Sequence, residues 1–136
     1  MLDETKSALA NVRLIQAREC LQDAEMMLAA ESFKSVANRS YYCIFHSMRA
    51  VLALDSFDSK KHSGIIATFR QRYIKTGIFP ANFSGIITSA FEVRNDSDYQ
   101  DFYIISKEKV ENQIANAKVF LTAIEDYIRE KIQPSA

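Results

Sequence analysis

Phe33-Lys34-Ser35-Val36-Ala37-Asn38-Arg39-Ser40-Tyr41-Tyr42-Cys43-Ile44-Phe45-His46-Ser47-Met48-Arg49-Ala50-Val51-Leu52-Ala53-Leu54 runs without a glycine or a proline. Within it Ala37, Tyr41, Ile44, Met48 and Val51 recur at alternating steps of four and three. On a 3.6-residue helix they therefore share one face, which Phe45 and Leu52 broaden. A face that wide makes this the most buried helix of the chain. Beside it, at three-four-three spacing, run Arg39, Tyr42, His46 and Arg49, so four hydrogen-bonding side chains lie along one line. Such a polar seam either fixes the register of packed helices or borders an anion site.

The same periodicity extends on both sides. From about Lys6 to Glu31, Ala10, Leu14, Ala17, Leu21, Ala24 and Leu28 mark a long amphipathic helix, with Ser32 placed to cap the one that follows. After the central helix, Asp55 to Gly64 is a short polar loop containing Lys60, Lys61 and His62. Ser59 can cap the next helix there, whose first turn then offers those side chains and free amides to a phosphate. That third helix runs from about His62 to Thr76, with Ile65, Ile66, Phe69 and Tyr73 inward and Gly77 as its stop. A fourth spans about Asn82 to Asp98. The connector from Asp101 to Ile105 lies across the bundle, and Ser106 caps a last helix marked by Val110, Ile114, Ala117, Leu121, Ile124 and Ile128. Periodic segments joined by short loops predict an all-α, antiparallel up-and-down bundle of four main helices plus a shorter extra one. One domain over 1–136, with its core at about 6–131, accounts for the whole chain.

Composition narrows the function classes. There are 17 Lys plus Arg against 17 Asp plus Glu, so no global basic field drives nucleic-acid binding, DNA specificity is not expected, and any RNA contact must be local. The two cysteines, Cys20 and Cys43, fall inside helical patterns without CxxC or Cys/His spacing and read as core thiols of a reducing compartment. Neither a secretory signal nor a long apolar run is present, which predicts a cytoplasmic protein without a membrane span. No Gly-rich fingerprint, nucleophile elbow, HExxH or repeated ExxH occurs, so neither a metal nor a cofactor is expected.

Ala90-Phe91-Glu92-Val93-Arg94-Asn95-Asp96-Ser97-Asp98-Tyr99 holds the sharpest local signal. The inward series Phe83, Ile87, Ala90 continues on the same face to Arg94 and Asp98. Charges on an inward face are paired, so this helix end either closes a structural salt bridge or offers a guanidinium to an anion.

Taken in order, Arg39 to His46, Lys61-His62-Ser63-Gly64, Phe69 with Lys75-Thr76-Gly77, Ala90 to Arg94 and Asp98 to Tyr103 resemble HEPN domains, most closely small stand-alone prokaryotic ones, over roughly residues 10 to 130. The resemblance implies a helical bundle that is commonly a homodimer and often paired with a minimal nucleotidyltransferase protein. In many such domains an Arg, four to six variable residues and a His build a metal-independent RNase centre across the dimer. Such pairs can act as toxin and antitoxin, and the partner can transfer AMP to a Tyr beyond the His. Arg94 matches the motif Arg and Asn95 the polar residue after it, but Tyr99, Gln100 and Asp101 stand where the His is expected. A phenol is a poor general base at neutral pH, and Asp98 beside Arg94 is a weakened one.

The resulting expectation is a HEPN protein, leaning away from an enzyme, that binds nucleotide, RNA or a nucleotidyltransferase partner as one component of a toxin–antitoxin-like pair. Its catalytic candidates are Arg94 and Asp98. Ligand contacts fall to Arg94, Asn95, Tyr99, Lys61, His62, Arg39 and His46, and AMP acceptance to Tyr99 or Tyr103. The alternative is an active metal-independent endoribonuclease in which His46 or His62 is brought to Arg94 by folding or dimerisation. A third option is a structural dimer in which Arg94 and Asp98 merely latch the helix end.

Overall fold

The computed structural model describes residues 3–133. They form α1 (Glu4–Ala29), α2 (Phe33–Leu54), α3 (His62–Phe69), α4 (Asn82–Tyr99) and α5 (Lys107–Ile132), and no strand occurs among them. The architecture is the expected all-α bundle. α2 packs against all four other helices, and α1 against α5 closes the bundle around it. Its stripe residues Tyr41, Ile44, Met48 and Val51 are fully buried, as are Val36, Cys43, Ala50 and Leu52. Past its first turn, only the line Asn38, Arg39, Tyr42, His46 and Arg49 retains exposure.

Local chemistry sets several helix ends. Asp3 caps α1 by accepting from Thr5 N at 2.8 Å, and Ser106 caps α5 by accepting from Lys109 N at 3.1 Å, each satisfying an orphan amide. Gly77, at φ 81°, stops the third segment as its sequence position requires.

Several expectations are corrected. The Ser32 hydroxyl caps nothing and instead donates to Ser35 Oγ at 3.0 Å. Lys61, not Ser59, is the N-cap residue of α3, while Ser59 Oγ accepts from Lys61 N at 3.2 Å. The third segment is not one α-helix to Thr76. After Phe69 it widens to a π-helical stretch over Arg70–Ile74. That wider turn still buries Tyr73 beside Phe69, with the rings 5.6 Å apart. The connector crosses the bundle only through alternate residues: Ile105 is buried and Tyr103 packs beside it, whereas Phe102 and Ile104 are 96% and 91% exposed. On the outer face of α1, Val12 and Ile15 are each about half exposed.

Candidate functional site

Between α2, α3 and α4 an aromatic cluster contains charges. Tyr41, fully buried on α2, stacks on Phe45 with centroids 5.9 Å apart and meets Phe91 of α4 edge-on at 6.0 Å. Its hydroxyl lies 2.9 Å from His62 Nδ1 at the start of α3. The His62 ring also packs 4.1 Å from Phe45. Folding thus brings together three residues that stand far apart in sequence, Tyr41, His62 and Phe91.

Arg94 enters the cluster from α4. Its side chain is 16% exposed, and the guanidinium lies 5.4 Å from the ring centroids of both Tyr41 and Tyr42, within cation–π reach. One Nη donates to Tyr42 Oη at 3.3 Å. Nε lies 2.9 Å from Asp98 Oδ2, the ion pair one helical turn on. That ion pair occupies Nε, whereas Nη1 makes no hydrogen bond among the described residues. Arg94 is held by ring faces and one carboxylate rather than enclosed by acceptors, an arrangement that leaves N–H groups for an incoming anion.

The ionisation of the cluster follows from its burial. The Tyr41 hydroxyl is pushed up to about 12, chiefly by loss of water and next by Tyr42, against the opposing pull of Arg94. His62 is lowered, first by burial and then by the charges of Arg94 and Arg49. At neutral pH the pair is therefore a protonated phenol and a neutral imidazole, and the imidazole can accept a proton.

Farther along α2, His46 lies 5.9 Å from the Tyr42 ring. Burial, followed by Arg49, Arg39, Arg13 and His62, lowers it to about 4, and its Nδ1 is buried without a partner. The cations around it include one that the sequence reading did not place in the site. Arg13 of α1 is buried, donating to Arg49 O at 3.0 Å and to Asp58 Oδ2 at 3.1 Å, while Arg49 reaches the same carboxylate at 3.4 Å. Asp58 is held below its usual value: partial burial opposes ionisation, but the Ser59 amide, Arg49 and Arg13 outweigh it. A signal for Arg13 existed, because it lies three residues after Ala10 and four before Ala17 and so shares their inward face. The closure of that ion pair by Asp58, a loop residue, had no periodic signal.

The remaining candidates scatter. Arg39 also lies 5.4 Å from the Tyr42 ring centroid and donates to Asn38 Oδ1 at 2.9 and 2.7 Å. It borders a cleft of about 500 Å³ with Lys34, Asn38 and Asp98. Lys61 is exposed beside the cluster, and Asn95 is half-buried on α4. Tyr99 is 71% exposed, and its side chain makes no hydrogen bond or ring contact among the described residues. Tyr103 packs against the smaller apolar cluster containing Ala24, Val36 and Val110. The structure therefore joins Arg94, Asp98, His62, His46 and Arg39 through Tyr41 and Tyr42, and leaves Tyr99 outside that group. Tyr42 stands in the polar seam read from the sequence, whereas Tyr41 reads there only as part of the buried stripe.

Comparison with known proteins agrees with this architecture. Residues 10–127 match the model of the HEPN domain. A UPF0332 protein of Thermotoga maritima is 36% identical over 85% of this chain and 87% of its own length. Two proteins of Methanocaldococcus jannaschii, named "Putative toxin MJ0142" and "Putative toxin MJ0605", are 28% and 29% identical. The first match covers 85% of this chain and 79% of the relative, the second 84% of each. On the extent of the domain match and of these relatives, the chain belongs to the HEPN domain family.

Proposed function

We propose that this protein is the toxin-like member of a two-component pair and that it binds single-stranded RNA, or a nucleotide, through its phosphate at Arg94. The observation that carries the reading is the setting of that guanidinium: mostly withdrawn from water, faced by two tyrosine rings, balanced by one carboxylate at Nε and left with an Nη that makes no hydrogen bond among the described residues. Phosphate contact would satisfy that donor while Asp98 yields to solvent. The names of the two archaeal relatives support the toxin-like part. A homodimer and a minimal nucleotidyltransferase partner complete the proposal. Tyr99, exposed on the end of α4, is more accessible than Tyr103 for AMP transfer by such a partner. Binding of a short single-stranded oligoribonucleotide tests the reading. Arg94→Ala weakens it at least tenfold, whereas Arg129→Ala, at an exposed position on α5, changes it little. Equal effects of the two substitutions refute it.

One specific observation favours a second reading, a metal-independent endoribonuclease. His62 is tied to Tyr41 beside Arg94 and is neutral at pH 7, although the His expected downstream of Arg94 is missing. In this reading His62 takes the 2′-hydroxyl proton, the 2′-oxygen attacks phosphorus and the 5′-oxygen leaves with a proton from water. Arg94 stabilises the charge on the phosphorane. RNA cleavage in the presence of a chelator should then fall by about 10²- to 10⁴-fold in His62→Ala, the usual worth of a general base. Cleavage unchanged by that substitution leaves the binding reading alone.

A further inference from the structure

A groove between α3 and α4 is not used by the reading above. Its volume is about 520 Å³, within the range of roughly 300–1,000 Å³ common for small-ligand sites. Ile66 and Ile87 form its floor, Phe91 contributes a ring that is 38% exposed, and His62, Arg70 and Glu92 stand at its edges. The groove shares lining residues with the aromatic cluster around Arg94. His62 belongs to both, and Tyr41 touches His62 through its hydroxyl at 2.9 Å and Phe91 through its ring at 6.0 Å.

The polar edges decide what the groove can hold. Arg70 donates one Nη to Ser84 O at 3.1 Å and to Thr88 Oγ1 at 2.6 Å, yet its Nε is buried without a partner. Neither Arg70 nor Glu92 forms an ion pair among the described residues. An aliphatic occupant, such as a helix from another copy, would cover a guanidinium and a carboxylate while giving them nothing to bond, which is costly. A flat heteroaromatic ring fits both demands. Its face can lie on Phe91 and the isoleucines, while its edge supplies acceptors to Arg70 and His62 and N–H donors to Glu92.

We propose that the α3–α4 groove seats one unstacked base of a single-stranded RNA whose neighbouring phosphate lies at Arg94. The assignment rests on the RNA-binding reading and adds a base-recognition subsite to it. Phosphate at Arg94 positions the strand without reading its sequence, and the base in the groove supplies the sequence preference.

Two dye-labelled probes test it: a short single-stranded oligoribonucleotide and the same backbone with abasic riboses. Wild-type protein binds the intact strand more tightly. Phe91→Ala weakens intact RNA by roughly 5- to 150-fold, the loss expected when one base–aromatic stack is removed, and weakens the abasic strand far less. Ala67→Phe, an exposed position that also lines the groove, has the same selective effect by filling the space, and both variants keep the wild-type helical circular dichroism. Arg94→Ala weakens both probes alike. The subsite is overturned if Phe91→Ala and Ala67→Phe leave the advantage of the intact strand untouched. It is equally overturned if they convert a dimer to a monomer in sedimentation, which assigns the groove to a second copy. If wild-type protein binds neither probe, the RNA reading of Arg94 has failed, and the subsite with it.

Discussion

The bundle contains two aromatic clusters built from similar residues for different ends. In one, Phe69, Phe79, Phe83 and Phe120 stack within 4.8–5.7 Å, and Tyr73 buries its hydroxyl against Asp55 at 2.7 Å. In the other, Tyr41, Tyr42 and Phe45 surround His62, His46 and the Arg94 guanidinium. The first cluster is dry and its hydrogen bond is complete. The second has an unpartnered His46 nitrogen and an Arg94 Nη without a hydrogen bond among the described residues. Stacked rings stabilise either way, but only where polar capacity remains unspent can a ligand gain by entering.

Substitutions can break that contrast or sharpen it. The largest effect belongs to the dry cluster: Phe120→Ala, at a fully buried ring, should cost about 3–5 kcal/mol in denaturant unfolding. A loss below about 1 kcal/mol would show that the two clusters do not differ in their contribution to the fold. Next, Tyr73→Phe removes the donor to Asp55 and should cost about 1.5–3 kcal/mol, the usual worth of a hydrogen bond to a charged group. The same unfolding curves measure it.

The polar cluster should instead show itself through pH. His46 titrates near 4 when folded and at its ordinary value of 6.5 when unfolded. Between those values the unfolded chain binds the extra proton, so stability rises with pH through this window and is lost as pH falls towards 4. His46→Phe, which fills the slot without titrating, should flatten that rise. An unchanged pH profile would place the acid sensitivity elsewhere. The smallest effect is expected at the connector: Phe102→Ser and Ile104→Ser, at nearly fully exposed side chains, should each shift stability by no more than about 0.5 kcal/mol. A larger loss would mean that these residues are covered in solution.

Much of the bundle was legible because burial on a helix leaves a periodic trace. The stripe from Ala37 to Val51 and the series from Val110 to Ile128 repeat every three or four residues, and both are buried as the spacing requires. Ser106 and Gly77 act as their chemistry predicts. Ser32 and Ser59 do not, because a hydroxyl close to a helix start can choose another serine or a different amide. Alternation in the connector resembled an apolar run, although only every second side chain turns inward.

The site was legible only in part. Arg94 and Asp98 belong to one helix turn, so their pairing could be read from spacing. Joining Arg94 to His62 required α2, which places Tyr41 and Tyr42 between them. The sequence by itself determined the helices, the buried face of α2 and the charge at the end of α4, because each depends on neighbours within a turn or two. Only the tertiary structure decided which histidine stands near Arg94, how Arg13 meets Asp58 and where a groove opens beside Phe91. Those relations are set by the packing of separate helices, and no local repeat encodes the distance between them.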